Sequence, residues 1–345
     1  MKVLVTGGAG YIGSTLTRHL LEQGHSVRAV DRFYFGENVF LGLRQEEKER
    51  LELVRVDVQR LQLSHFEGVD AVVDLAGISN DPSCDLNSTL TRRVNVDGGL
   101  NTARTAREAG VKRLVFASSC SVYGQGGDQT VDESSPHRPV SLYAQCKSEM
   151  ESHLSDLHGR GGMEIVRLRF ATVFGYSPKM RFDLAVNIMT KHAYIAQRIN
   201  IEGGGKQWRP LVHVADVART VGVMLQAPAE QVDGEVFNVG ADDNNLRIQT
   251  LAYRIRDRIP GTQVVMLPDD ADQRSYRVSF AKLKAAFPDL SFAEVETGVD
   301  EIVDAMRRGL VDPDDQRWYT VRHYQFLSDV EKAYEQLSID GRILG

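Results

Sequence analysis

The chain has 345 residues, 42% hydrophobic and 26% charged, enough for one large α/β domain or two coupled ones. Its formal net charge of −6 excludes the basic face that a nucleic-acid partner needs. Cys84, Cys120 and Cys146 form no CxxC pair, so neither a disulfide framework nor a metal site is expected.

In chain order, Lys2-Val3-Leu4-Val5-Thr6 reads as a buried strand with no signal-peptide core before it. No later apolar run is long enough to span a bilayer, so a cytoplasmic protein without a membrane partner is expected. The strand runs into Gly7-Gly8-Ala9-Gly10-Tyr11-Ile12-Gly13, and a helical pattern over Ser14–Gln23 follows at once. Strand, glycine turn and helix N-terminus together make a pyrophosphate site. Glycine lets the backbone approach the phosphates, and free N–H groups and the helix dipole stabilise their charge. The next apolar run, Ser26–Val30, ends in Asp31, at about the twenty-residue offset of a ribose-binding carboxylate. Asp31 favours NAD, because it accepts a bond from the adenosine 2′-hydroxyl and repels a 2′-phosphate; neighbouring Arg32 leaves NADP open.

The apolar runs Val3–Val5, Val27–Val30, Leu53–Val56, Ala71–Leu75, Leu114–Ala117 and Ile165–Leu168 suit parallel strands covered on both faces. Helical stretches such as Thr89–Ala109 and Ser141–His158 lie between them. This order predicts a Rossmann-type doubly wound parallel sheet with a smaller, discontinuous α/β substrate-binding lobe. The expected division is a dinucleotide-binding domain over 1–174, to which 211–240 returns, and a substrate lobe over 175–210 and 241–312. A C-terminal extension over 313–345 follows. Asp183–Ala196, Thr250–Arg258 and Phe280–Ala286 read as helices, and Val236–Val239 as a strand. In the extension, a helix over Ser328–Leu337 is expected to pack on the surface or on a partner.

The segment Ser118-Ser119-Cys120-Ser121-Val122-Tyr123-Gly124 closes the fifth run, and Tyr143-Ala144-Gln145-Cys146-Lys147 lies in the helix after it. Tyr143 and Lys147, four apart, share a helix face. An ammonium beside a phenol lowers its pKa, which fits Tyr143 for acid–base work near neutrality. The Ser119 hydroxyl suits an oxygen that changes between alcohol and carbonyl. Tyr-x-x-x-Lys alone is common on amphipathic helices; downstream of a dinucleotide loop it reads as a hydride-transfer site.

With these segments the chain resembles the extended short-chain dehydrogenase/reductases, in their NAD-dependent nucleotide-sugar epimerase/dehydratase branch, over roughly residues 1–310. The resemblance rests on Thr6–Gly13, Asp57-Val58, Leu75-Ala76-Gly77, Asn95-Val96-Asp97-Gly98, Ser119…Tyr123-Gly124, Tyr143-x-x-x-Lys147 and Arg209-Pro210-x-Val212-His213-Val214-x-Asp216. It implies that Gly7, Gly10, Tyr11, Ile12, Gly13, Asp31 and Arg32 hold NAD. Asp57 and Val58 would flank the adenine, Leu75, Ala76 and Gly77 would line the cofactor, and Asn95 would support the active-site backbone. Ser119, Tyr143 and Lys147 would be catalytic, the last two also touching the cofactor. Ser119, Cys120, Ser121 and Thr172 would face the substrate, and Arg209 and Arg274 would fork onto its diphosphate. Plain alternatives stand beside these roles: a helix bridge for Asn95, a stack on Trp208 for Arg209, a solvated charge cluster for Arg274, and a small core residue for Cys120.

Departures from the family pattern narrow the chemistry. Dehydratases of this branch carry an Asp-Glu pair after the catalytic hydroxyl; here Cys120-Ser121 stands there, so water elimination is not expected. Thr172 replaces an asparagine that contacts the sugar nucleotide in many relatives. The expectation is an NAD-dependent epimerase of a nucleoside-diphosphate sugar. The alternatives are an NAD(P)H-dependent reductase of a nucleotide-linked 4-keto sugar and, third, a non-catalytic NAD-sensing scaffold. The resemblance also implies a homodimer paired through Asn95–Ala109 and Ser141–His158.

Overall fold

The structure is a computed structural model that describes all residues except 160, 269–274, 339–341 and 343–345, and all their side chains except those of 125–128. The first half alternates as its periodicity requires: β1 (Lys2–Thr6), α1 (Tyr11–Glu22), β2 (Ser26–Asp31), α2 (Gln45–Lys48), β3 (Leu51–Arg55), β4 (Ala71–Asp74), α3 (Asp81–Asp85), α4 (Ser88–Arg92), α5 (Gly99–Glu108), β5 (Arg113–Ser119), β6 (Gln125–Val131), α6 (Leu142–His158) and β7 (Glu164–Phe170). After it come β8 (Thr172–Phe174), α7 (Ala185–Ala196), β9 (Arg198–Ile201), β10 (Trp208–His213), α8 (Val214–Gln226), α9 (Ala229–Val232) and β11 (Val236–Val239). The chain then continues through β12 (Asn245–Arg247), α10 (Ile248–Arg258), β13 (Gln263–Met266), β14 (Ser275–Val278), α11 (Ala281–Ala286), α12 (Val295–Arg307) and α13 (Thr320–Leu337).

Seven parallel strands form the main sheet in the order β3-β2-β1-β4-β5-β7-β11, so β11 joins it after a long excursion of the chain. Val3, Leu4 and Val5 are fully buried, because helices cover both faces. One face packs Leu16 and Leu20 of α1 with Val217 and Val221 of α8. The other packs Ala103 and Ala106 of α5 with Met150 and Leu154 of α6. Burial of each large aliphatic side chain contributes about 1.5–3 kcal/mol.

The structure departs from the sequence expectation in three places. β3 is an edge strand, and its Leu53 is exposed. The helix expected over Thr89–Ala109 is interrupted by a π turn over Arg93–Gly98, whose wider spacing changes the face that Asn95 presents. The C-terminal helix begins at Thr320 rather than Ser328, because Trp318 and Tyr319 just before it are buried with Met180, Phe182 and Ile302. A separate core of Phe174, Ile199, Leu211, Leu251, Ile255 and Val299 holds the smaller lobe. On α5 and α6 the exposed positions include Arg104, Gln145, Ser152 and Asp156, all polar.

Candidate active site

A cavity of about 1560 Å³ opens at the C-terminal edge of the sheet, larger than the ~300–1,000 Å³ of a typical single-ligand site and roomy enough for two ligands. Gly7, Gly10, Tyr11, Ile12 and Gly13 line one end. Gly7 has φ +66°, and a Cβ on Gly13 would sit 2.0 Å from the Gly7 carbonyl, so the tight turn demands glycine at both positions. The loop therefore offers bare backbone at the start of α1, a cradle that fits a dinucleotide pyrophosphate.

Asp31, at the end of β2, accepts from the Phe33 N–H at 2.8 Å and the Ala9 N–H at 3.1 Å, one on each oxygen. Burial raises its pKa, and those N–H groups oppose the rise. Each oxygen keeps a lone pair for a ribose hydroxyl. Arg32 is drawn away to the rim: it pairs with Asp57 at 2.9 Å and lies over the Tyr34 ring. A 2′-phosphate would meet Asp31 and an arginine already engaged, which favours NAD. Val58, Leu75, Ala76 and Gly77 continue the wall.

Asn95 does not line the cavity. It is buried behind it and grips Ile78 at both ends, accepting from its N–H and donating to its carbonyl, each at 2.8 Å. The next loop is held from the other side. Arg181 donates to the Ser79 hydroxyl at 2.9 Å, and Asn80 donates to Asp183 at 2.8 Å. Asn80 has φ +71°, a conformation costing about 1–3 kcal/mol for a residue with a Cβ. Its bonds to Asp183 and the Ser83 N–H hold it there.

Ser119 and Tyr143 both line the cavity wall, and Lys147 stands one turn along α6 from Tyr143. Lys147 Nζ donates to the Ala117 carbonyl at 2.6 Å and lies 4.7 Å from the Phe116 ring and 5.8 Å from the Tyr143 ring. Burial lowers the lysine pKa, and buried Asp74 opposes this. The Tyr143 phenol departs from the sequence expectation. Burial raises its pKa; the Ser119 hydroxyl pulls it down by less, and the Lys147 ammonium is bonded to the Ala117 carbonyl.

Cys120 corrects another expectation. Its thiol donates to the Arg169 carbonyl at 3.2 Å inside the core, burial pushes its pKa up, and it does not line the cavity. Ser121 does line it, with a buried hydroxyl that has no partner among the described residues. Thr172 and Arg209 face the same space, Arg209 also donating to the Trp208 carbonyl at 2.9 Å. Arg274 lies outside the described residues. His213 caps α8 and bonds Glu301 at 2.8 Å.

Sequence reasoning missed Lys179, Arg181, Asp183 and Tyr324, which also line the cavity. The cluster Lys179-x-Arg181-x-Asp183 in a loop was the available signal for the first three. Among the described residues, no helix is long and apolar enough to cross a membrane.

A family model described as the NAD dependent epimerase/dehydratase family matches residues 3–240, leaving α13 outside the match. A putative UDP-glucose 4-epimerase of Methanocaldococcus jannaschii is 30% identical over 243 residues, 69% of this chain and 76% of that protein. A UDP-glucuronate 4-epimerase of Thermodesulfobacterium geofontis is 27% identical over 306 residues, 86% and 92% of the two chains. Among solved structures, MoeE5 in complex with UDP-glucuronic acid and NAD is 26% identical, with a TM-score of 0.77, covering 90% of this chain and 100% of that one.

Proposed function

The chain belongs to the NAD-dependent epimerase/dehydratase family, and from that premise we propose that it epimerises a nucleoside-diphosphate sugar at a carbon bearing a hydroxyl. It is an NAD-dependent nucleotide-sugar enzyme; NAD, when bound, supplies the two-electron acceptor. Tyr143 takes the hydroxyl proton as the alcohol becomes a ketone and returns it when the alcohol reforms, once the positive charges of Lys147 and of an oxidised nicotinamide offset the burial that holds the phenol protonated. Ser119 hydrogen-bonds the same oxygen. Lys147, fixed by Ala117, keeps a positive field beside the phenol. Ser121 offers its unpartnered hydroxyl to the sugar, and Arg209 binds the diphosphate.

One observation carries the choice of reaction. Ser119, Tyr143 and Lys147 face one cavity with the dinucleotide cradle, while the two positions after Ser119 hold a core-facing thiol and a neutral hydroxyl. No acid stands there to protonate a leaving hydroxyl, which disfavours elimination. The names of the relatives point to UDP as the carrier and to a hexose or hexuronate as the sugar. The homodimer, on the strength of the resemblance, and the cytoplasmic location, on the strength of the sequence composition, are part of the proposal, and sedimentation of the purified protein tests the former.

The reaction is tested by incubating purified protein with UDP-glucose or UDP-glucuronate without added cofactor. Interconversion of sugars with no net change in nicotinamide absorbance is expected. Stoichiometric loss of NAD(P)H with a 4-keto sugar would make the enzyme a reductase instead.

A further inference from the structure

Lys179 is an ammonium in an unusual position. It is 1% exposed, yet it lines the cavity. Its described partners are the Thr320 hydroxyl at 3.5 Å and the face of Phe35 at 3.8 Å. Asp31, Arg181 and Asp183 act on it through space, and burial lowers its pKa to about 7. A cation buried with so little compensation is costly unless an anion answers it.

Its backbone is fixed at the start of α1. The Lys179 N–H donates to Ser14 Oγ at 3.4 Å, and Ser177 donates to the Tyr11 carbonyl at 2.6 Å. The lysine thus belongs to the end of the cavity where the glycine loop presents its N–H groups.

α13 roofs this spot. Nine residues of this helix line the cavity, Thr320, Tyr324, Ser328 and Glu331 among them. Seven of the nine are polar or hydroxyl-bearing, whereas Phe326 and Leu337 of the same helix are left exposed. A helix docked for apolar burial alone would present the opposite pattern. The helix is also tied down at the cofactor end. His323 Nε2 bonds the Tyr34 carbonyl at 2.9 Å, Tyr324 meets Tyr34 and Phe35 edge-on or tilted, and the Phe182 N–H donates to the Trp318 carbonyl at 2.8 Å. Arg181 and Asp31 both act on the Tyr324 phenol through space, and burial raises its pKa.

We propose that Lys179 and α13 form the outer jaw of the cofactor site: Lys179 binds the NAD pyrophosphate opposite the glycine loop, and Thr320 and Tyr324 close over it, so that NAD is retained from one turnover to the next. This rests on NAD occupying the cavity. Charge-assisted contacts to phosphate oxygens are among the strong hydrogen bonds, so their loss is expected in affinity and residence time.

The test measures NAD carried by the purified protein, and NAD affinity after stripping, for the wild type, Lys179→Met, Lys179→Arg, Tyr324→Ala and a chain ending after Thr320. Circular dichroism checks folding. The wild type is expected to carry NAD, Lys179→Met to bind it about tenfold or more weakly, and Lys179→Arg to recover much of the loss. Tyr324→Ala and the shortened chain are expected to release NAD faster. If Lys179→Met does not fold, Tyr324→Ala and the shortened chain carry the same test. Folded variants that hold NAD as tightly as the wild type overturn the jaw. A wild type that neither carries nor binds NAD overturns the cofactor reading beneath it, a separate result.

Discussion

Ser118 and Ser119 are neighbours at the end of β5 and both border the cavity, but the Ser118 hydroxyl is bonded inward. Ser118 donates to Glu151, which also takes three bonds from Arg169, at 2.9, 3.2 and 2.7 Å. Arg169 continues to Tyr123 at 2.8 Å and His137 at 2.6 Å, and Tyr123 donates to Asn238 at 2.7 Å. On the other side, Ser119 and Tyr143 line the cavity, and the Ser121 hydroxyl has no partner among the described residues. α6 supplies both regions from one face: Tyr143, Lys147 and Glu151 follow at intervals of four. The inner cluster has its polar groups answered by protein. The outer one leaves groups for a ligand to answer, and that is where chemistry is placed.

If this division holds, substitutions on the two sides should fail differently. The largest effect belongs to the outer side: Tyr143→Phe is expected to lower kcat by about 10³-fold while leaving NAD content unchanged, read by steady-state kinetics and cofactor release. Near-normal turnover would remove Tyr143 from its role. On the inner side, Glu151→Ala strands the buried Arg169 guanidinium and should cost about 3–5 kcal/mol in urea unfolding. Replacing both partners with methionine should recover much of that, because no unpaired charge is left.

The sharpest contrast is between the serines themselves. Ser119→Ala should reduce kcat about ten- to a hundredfold with little change in stability. Ser118→Ala should lower stability by about 1–3 kcal/mol with little change in kcat. Similar effects from both would dissolve the comparison.

The smallest effect concerns Asp74, below the catalytic wall. Burial raises its pKa from 3.8 to about 6, against the Thr6 hydroxyl at 2.6 Å and the Lys147 charge. A carboxyl raised in the folded state favours folding while protonated. Its contribution is therefore complete below about pH 4 and lost as pH rises through about 6. Wild-type stability should fall relative to Asp74→Asn across that window; parallel profiles would contradict it.

The glycine loop, Asp31 and the Tyr143–Lys147 pair were legible because each is encoded within a few residues or at a fixed offset. Cys120 was less so: it stands in the turn Cys120–Tyr123 just past β5, where strand alternation no longer applies, and its thiol is turned into the core. Asn95 was harder, because a π turn set by its surroundings brings it to Ile78. The Glu151–Arg169 pair lies 18 residues apart across a helix–strand boundary, and no local spacing announces it. α13 was the least legible element. Its cavity face is chosen by contacts such as His323 to Tyr34, 289 positions apart, while its composition suggested only an amphipathic surface helix.

The central claim is that the outer cluster works on a sugar alcohol whose hydrogen never leaves the site. A UDP-sugar deuterated at the inverted carbon, incubated with the NAD-loaded enzyme without added cofactor, tests it directly. The account predicts that the epimer keeps its deuterium. Loss of the label to solvent, or its appearance in added NAD, would contradict it.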